Sequence, residues 1–274
     1  MYAKNYLPTV EEAHFQELFL KQTPFIDVRA PVEFQAGSIP NSINLPLLTD
    51  EERHQVGICY KQFGQQSAIE LGHKLVGGTV KEQRVQAWVH YIKQNPNVLI
   101  YCFRGGLRSQ TVQHWLAEYG LMVPLITGGY KALRRFLINA FEACIQDSSL
   151  ILIGGKTGSG KTFLIQEFQG IDLEAKNLQA IDLEGLANHR GSAFGYEATP
   201  QPTQIDFENR LSVSLLQKHS GSYLLEDESR LIGRLHVPEI LFKKMRESPL
   251  LLVEEPVEVR ANHILNTYVI QKVS

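Results

Sequence analysis

The sequence predicts two α/β domains in tandem, and three observations carry that reading. Short apolar runs alternate with stretches of helical spacing along most of the chain. One such run ends at a cysteine and a glycine-rich arginine loop, Tyr101-Cys102-Phe103-Arg104-Gly105-Gly106-Leu107-Arg108-Ser109. A later one runs into a complete phosphate-binding loop, Gly155-Lys156-Thr157-Gly158-Ser159-Gly160-Lys161-Thr162. With 274 residues the chain is long enough for two separate cores.

In the first half, Phe25-Ile26-Asp27-Val28 reads as a short strand and Val98-Leu99-Ile100-Tyr101 as a second that ends directly at Cys102. Residues 51–75 and 80–94 between them read as helices. A third helix over 109–119 puts Val112, Trp115, Leu116 and Tyr119 on one face and stops at Gly120. Leu125-Ile126 is a strand into Gly128-Gly129, and residues 130–147 form a helix that closes the domain. The boundary falls there, giving domains 1–147 and 148–274. In the second half Leu150–Ile153, Ala180–Leu183, Ser222–Leu225 and Leu250–Val253 read as strands. Helices over 162–169, 206–219, 238–247 and 256–273 follow or separate them, which is the alternation of a parallel sheet covered on both faces.

A hydrophobic fraction of 43% with 20% charged residues is ordinary for a soluble protein, and no apolar run approaches a bilayer's thickness. The first ten residues lack a basic region followed by an apolar core, so a cytoplasmic location is expected. The 3 cysteines, Cys59, Cys102 and Cys144, form no CxxC pair and sit beside no histidine at ligand spacing, which argues against a disulfide framework or a structural metal. A formal net charge of −2 gives no general attraction to nucleic acid. Any RNA contact must use a local patch, for which Lys131, Arg134 and Arg135 are candidates.

In the phosphate-binding loop, glycines 155, 158 and 160 allow the tight turns that aim backbone N–H groups at an anion on a helix N-terminus. Lys161 adds a point charge, and Thr162 offers a hydroxyl to Mg²⁺. Acidic residues that follow an apolar strand, Glu226-Asp227-Glu228, are candidates to complete the metal site. The loop recognises phosphates whatever they are attached to, so ATP, GTP and another diphosphate all remain open.

A thiol attacks as its thiolate, which backbone N–H groups, a helix N-terminus and nearby arginines all stabilise. Cys102 has each of these close in sequence, with Arg104 and Arg108 as the cations. The spacing Cys-x5-Arg also fits the loop of cysteine-dependent phosphatases, although Tyr101 stands where a histidine usually precedes that cysteine.

The flanking segments carry a resemblance. Asp27-Val28-Arg29-Ala30-Pro31-Val32-Glu33-Phe34 and the stretch from Gly37 to Leu45 resemble the opening of rhodanese domains, and Gly128-Gly129-Tyr130 resembles their closing motif. Such domains carry a persulfide or perselenide on the loop cysteine, and the seven positions from Cys102 to Arg108 exceed the loop of simple thiosulfate-using members. A rhodanese domain fused to a P-loop domain resembles the tRNA 2-selenouridine synthase family. The likeness extends through residues 56–62, 71–76, 182–195 (DLEGLANHRGSAFG), 201–209 and 226–233 (EDESRLIG). Members usually continue into a further helical region, so the second domain is expected to be truncated at its C-terminal end.

The resemblance implies an enzyme that converts 2-thiouridine at the wobble position of tRNA to 2-selenouridine. Sulfur is first alkylated by geranyl diphosphate, and selenium from selenophosphate then replaces the S-geranyl group. It implies a role for Cys102 in carrying selenium, for Arg104 and Arg108 in holding phosphate, and for the P-loop in holding a diphosphate with Mg²⁺ at Thr162. A selenophosphate-supplying enzyme is an implied partner, and a membrane is not. His189, Arg190 and Ser192 follow the second strand, where open α/β sheets place ligand contacts, and Gln204, Glu208 and Asn209 follow in the next loop and helix start. These six, with Glu226 and Asp227, are candidate substrate-binding residues. A cysteine-dependent phosphatase and a tRNA sulfurtransferase, each fused to a nucleotide-binding module, are the rival readings.

Overall fold

The structure, a computed structural model, describes residues 7–170, 178–189, 199–217 and 221–265. It divides into two compact units, Met1–Leu137 and Ile138–Ser274.

The first unit opens with β1 (Thr9–Val10), a 3₁₀ turn at Glu12–His14 and α1 (Phe15–Leu20). There follow β2 (Phe25–Asp27), α2 (Pro31–Gln35), β3 (Ser42–Asn44), α3 (Asp50–Leu75), α4 (Gly78–Gln94), β4 (Leu99–Tyr101), α5 (Leu107–Glu118), β5 (Leu125–Ile126) and α6 (Gly129–Asp147). Its sheet has the order β1-β5-β4-β2-β3 and every pairing is parallel. β2, β4 and β5 are buried throughout, as their apolar sequences require. β4 is central, so its C-terminal end, where Cys102 follows, lies at the middle of the edge where open α/β sheets bind ligands.

Local chemistry sets the helix starts. Pro31 occupies the first turn of α2, where its missing N–H costs nothing. Thr49 and Glu52 cap α3 reciprocally: Thr49 Oγ1 accepts from Glu52 N at 3.2 Å, and Thr49 N donates to Glu52 Oε2 at 2.7 Å. α3 is broken at Gly64 by a left-handed φ of 83°, which helical spacing alone did not reveal. Val85 and Trp88 of α4 and Val112 and Leu116 of α5 bury against Ile26 and Ile100, each worth roughly 1.5–3 kcal/mol of burial.

The second unit takes in the end of α6. It then runs through β6 (Ser149–Gly155), α7 (Lys161–Gly170), β7 (Leu178–Ile181), α8 (Leu183–Ala187), α9 (Gln204–Gln217), β8 (Ser222–Glu226), β9 (Leu231–Ile232), β10 (Leu235–His236), α10 (Glu239–Arg246), β11 (Leu250–Val253) and α11 (Val257–Ile264). The order β11-β6-β8-β7 is wholly parallel, and β9-β10 is a separate antiparallel hairpin. β6 therefore delivers the phosphate-binding loop between the ends of β11 and β8.

The expected elements are present, with local differences. The division between units lies within α6, upstream of the boundary read at 147, because Phe141 and Ile145 bury with Leu150, Leu152 and Tyr223 in the second core. Leu183 starts a helix rather than ending a strand: Asp182 Oδ1 accepts Gly185 N at 2.6 Å and caps α8. The last helix is described only to Leu265, and the remainder of its expected span lies outside the described residues. No helix among the described residues is long and apolar enough to cross a membrane.

Candidate functional site

Cys102 leaves β4 with 2% of its surface exposed and its Sγ 3.2 Å from Ser109 Oγ. Ser109 in turn donates to Gly106 O at 3.1 Å, at the start of α5. The thiol thus sits at the positive end of a twelve-residue helix. The loop's shape is imposed from the far side of β5. Tyr130 N donates to Cys102 O at 2.8 Å and Lys131 N to Phe103 O at 3.1 Å, so the first turn of α6 satisfies the loop's carbonyls. A Cβ on Gly129 (φ 60°) would stand 2.4 Å from Cys102 O and 2.5 Å from Gly105 N. Only glycine permits that approach.

The Asp27-Val28-Arg29 segment supports this clamp from beneath. Arg29 is 2% exposed and donates through Nε and Nη2 to Asp27 Oδ2 at 2.8 and 2.6 Å, and through Nη2 to Gly37 O at 2.9 Å. Its guanidinium carbon lies 3.9 Å from the centroid of Tyr130. Asn44 donates to the carbonyls of Asp27 and Arg29 at 3.0 and 2.9 Å.

The two candidate arginines differ. Arg108 is already engaged by Glu33 at 2.5 and 3.1 Å, and Arg53 and the N–H of Ala30 meet the same carboxylate. Glu33's carboxyl is held below its ordinary range: burial opposes this, and the hydrogen bond and charge of Arg108 overcome it. Arg104 is exposed and has no ion pair among the described residues, its guanidinium lying 5.9 Å from the Phe103 ring.

In the second unit, Gly155, Gly158 and Gly160 have φ of 154°, 82° and 85°, the turns the motif demands. Lys161 Nζ donates to Gly155 O at 2.6 Å, and the buried Ser159 hydroxyl has no hydrogen-bond partner among the described residues. Lys156 and Thr157 are exposed at the crest of the turn. α11 braces the outside of that turn: Arg260 Nε donates to Thr157 O and His263 Nδ1 meets Gly158 O, both at 3.0 Å.

Of the acidic strand end expected beside Thr162, Glu228 lies nearby, together with Glu184. Thr162 Oγ1 donates to Glu184 Oε2 at 2.8 Å, and Glu184 adjoins Glu228. Burial first, then the charge of Glu184, pushes Glu228 up to about 8. Asp227, a sequence candidate, is committed to an ion pair with Arg246. Glu226, the third, is fully buried: one oxygen accepts Leu183 N at 3.0 Å, and the other has no hydrogen-bond partner among the described residues. Burial holds its carboxyl well above the ordinary range. A hydroxyl and two adjoining carboxylates are hard oxygen donors that fit Mg²⁺, which takes few protein ligands and fills its octahedron with water and phosphate. Thr162, Glu184 and Glu228 would hold it. Among the described residues no group of three or more acidic, histidine or cysteine side chains is arranged for a metal on its own.

The remaining candidates are chiefly tied to the hairpin. Gln204 donates to His236 O and accepts from His236 N, both at 2.9 Å, and donates to Glu208 at 3.0 Å. Asn209 is fully buried in α9. His189 is 6% exposed and lies against Gly233, where a Cβ would come within 2.8 Å of its ring. Arg190 and Ser192 lie outside the described residues. The sequence reading gave no role to Glu33, Glu184, Arg260 or His263, whose partners lie far off along the chain.

Comparison with known proteins fits this division. The rhodanese-like domain model matches residues 12–135, and the model described as the tRNA 2-selenouridine synthase AAA domain matches residues 148–274. A protein named tRNA 2-selenouridine synthase from Marinobacter nauticus is 52% identical over 258 residues, 93% of this chain and 68% of its own. Namesakes from Hahella chejuensis (51%, covering 94% and 67%) and Alcanivorax borkumensis (52%, covering 93% and 69%) are similar to the same extent.

The chain belongs to the tRNA 2-selenouridine synthase family.

Within this family of enzymes, the thiol loop falls in the rhodanese-like domain and the phosphate-binding loop in the AAA domain. The two matched domains correspond to the two sheets.

Proposed function

We propose that the enzyme converts wobble 2-thiouridine in tRNA to 2-selenouridine through an S-geranylated intermediate, using geranyl diphosphate and selenophosphate. The observation that carries this reading is the thiol of Cys102, seated at the head of α5 in a loop clamped by α6, on the same chain as an intact phosphate-binding loop. A thiocarbonyl carbon has no leaving group. Alkylation of its sulfur creates one: the sulfur attacks the allylic carbon, the carbon–oxygen bond breaks, pyrophosphate departs and the ring N3 proton is lost.

The phosphate-binding loop suits that first step. Its backbone N–H groups and Lys161 would receive the diphosphate, with Lys161 Nζ moving from Gly155 O to a phosphate oxygen. Mg²⁺ bound by Thr162, Glu184 and Glu228 would supply neutralising charge to the leaving group. Cys102 suits the second step, in which selenium of selenophosphate attacks C2, the carbon–sulfur bond breaks and the geranylthiolate leaves with a proton from the Cys102 thiol. Water then cleaves the phosphorus–selenium bond to release phosphate. Arg104 is available to an incoming phosphate, and Arg108 becomes available when it leaves Glu33.

Mass spectrometry of wobble nucleosides after incubation with thiolated tRNA, geranyl diphosphate and selenophosphate tests the scheme. Cys102→Ala is expected to accumulate geranylated uridine without selenation, and Lys161→Ala to abolish geranylation. Undiminished geranylation in Lys161→Ala, or competition of nucleotides but not geranyl diphosphate for the loop, would remove the assignment of the first step.

A further inference from the structure

The residue after the thiol, Phe103, stands among charges that the fold has not neutralised. Its ring stacks on Tyr130 with centroids 6.1 Å apart and an interplanar angle of 17°, and stays half-buried at the lip of the Cys102 loop. Two cations from different elements approach it. Arg104 comes from the loop itself, 5.9 Å from the centroid, and Lys131 from the first turn of α6, at 5.6 Å. Neither has an ion pair among the described residues, whereas neighbouring cations do: Arg29 with Asp27, Arg108 and Arg53 with Glu33, and Arg135 with Glu12. The same backbone bonds that fix the thiol fix this ring, since Lys131 N donates to Phe103 O.

An aromatic ring with two uncompensated cations at its rim is the combination that holds a single-stranded nucleotide, the base stacking and the phosphates meeting the charges. A small free anion uses the cations and has no use for the ring. We propose that Phe103, Arg104 and Lys131 form the nucleotide seat that presents the wobble pyrimidine, or its immediate neighbour, to Cys102, Phe103 stacking on the base and the two cations gripping the flanking phosphates. The proposal rests on the reading that RNA reaches the Cys102 loop. It supplies the RNA-binding surface that a chain of net charge −2 lacks globally.

The test measures, by fluorescence anisotropy on the full chain, the affinity for an anticodon stem–loop carrying wobble 2-thiouridine and for the same RNA with an abasic wobble site. Phe103→Leu keeps apolar volume and removes stacking, and Phe103→Trp restores it. Phe103→Leu is expected to weaken binding of the thiouridine RNA about tenfold and to erase the preference over the abasic RNA, with Phe103→Trp recovering both. Lys131→Gln is expected to weaken both RNAs equally and to reduce the salt dependence. The rate of Cys102 alkylation by iodoacetamide is expected to be unchanged in every variant, which separates a seat for RNA from support of the thiol.

Retention by Phe103→Leu of wild-type affinity and base preference would overturn the proposal. So would a loss of Cys102 reactivity parallel to the loss of binding. Failure of the wider function would look different: wild-type enzyme would bind the thiouridine RNA through Phe103 and yet yield no selenated nucleoside.

Discussion

The thiol loop and the phosphate-binding loop are both anion cradles at the ends of parallel strands, but they are held in opposite ways. The Cys102 loop is shaped from outside. Its carbonyls are taken by Tyr130 and Lys131, and its closest backbone approach is made by Gly129, all distant in sequence. The phosphate-binding loop takes its turns from its own glycines, and α11 adds hydrogen bonds to two outward carbonyls and a close approach to Gly158, where a Cβ would meet Arg260 O at 2.6 Å. Charge differs as well. Arg104 at the thiol loop has no carboxylate partner among the described residues, while Glu184, Glu226 and Glu228 crowd the other. The first loop presents a cation, whereas the second gathers carboxylates near Lys161.

The largest effects should come from breaking what shapes the thiol loop externally. Arg29→Met leaves the buried Asp27 carboxylate without its partner and should destabilise the first unit by about 3–5 kcal/mol, read by denaturant unfolding. Next, Gly129→Ala forces a Cβ against two backbone atoms at a left-handed φ. It should cost more than about 2 kcal/mol and slow iodoacetamide alkylation of Cys102. Gly106→Ala is the control within the same loop. No atom lies within 4 Å of the new Cβ and φ is −99°, so stability should change by less than about 0.5 kcal/mol.

The phosphate-binding loop should respond more mildly to losing external support. Arg260→Ala removes one hydrogen bond to Thr157 O and should weaken pyrophosphate binding by about three- to tenfold, with Arg260→Lys recovering part of it in calorimetry. An unchanged affinity would mean that the loop needs no brace and would widen the contrast. The last effect concerns pH. Glu228 is raised from 4.5 to about 8 in the folded chain, so its protonated form favours folding. That contribution is complete below about pH 4.5 and disappears as pH rises through about 8. Glu228→Gln should flatten the stability profile in that window, measured by thermal melts across pH without added metal.

This asymmetry also explains what the sequence revealed. The phosphate-binding loop was legible because its determinants are contiguous, from Gly155 to Thr162. Cys102 was legible from its immediate neighbours, and Gly128-Gly129-Tyr130 from its resemblance to the rhodanese closing motif. What could not be read was pairing over distance. Glu33 meets Arg108 across seventy-five positions, and Glu184 meets Thr162 across twenty-two. Gln204 and Asn209 were candidate ligand contacts because they follow in the loop and helix start after the second strand. In the fold Gln204 secures the β9-β10 hairpin, which had no pattern strong enough to be expected, and Asn209 is buried in α9. The strands β1 and β3 were missed because two or three residues show no periodicity.

Glu33 has a consequence for selectivity. By holding Arg108 with both carboxylate oxygens, it acts as a resident competitor for the arginine the thiol loop would offer to a ligand. A singly charged anion such as chloride or acetate gains little by displacing a bidentate carboxylate. A doubly charged oxyanion with three oxygens can replace its geometry and add charge. The pairing thereby favours doubly charged oxyanions over singly charged ones at Arg108.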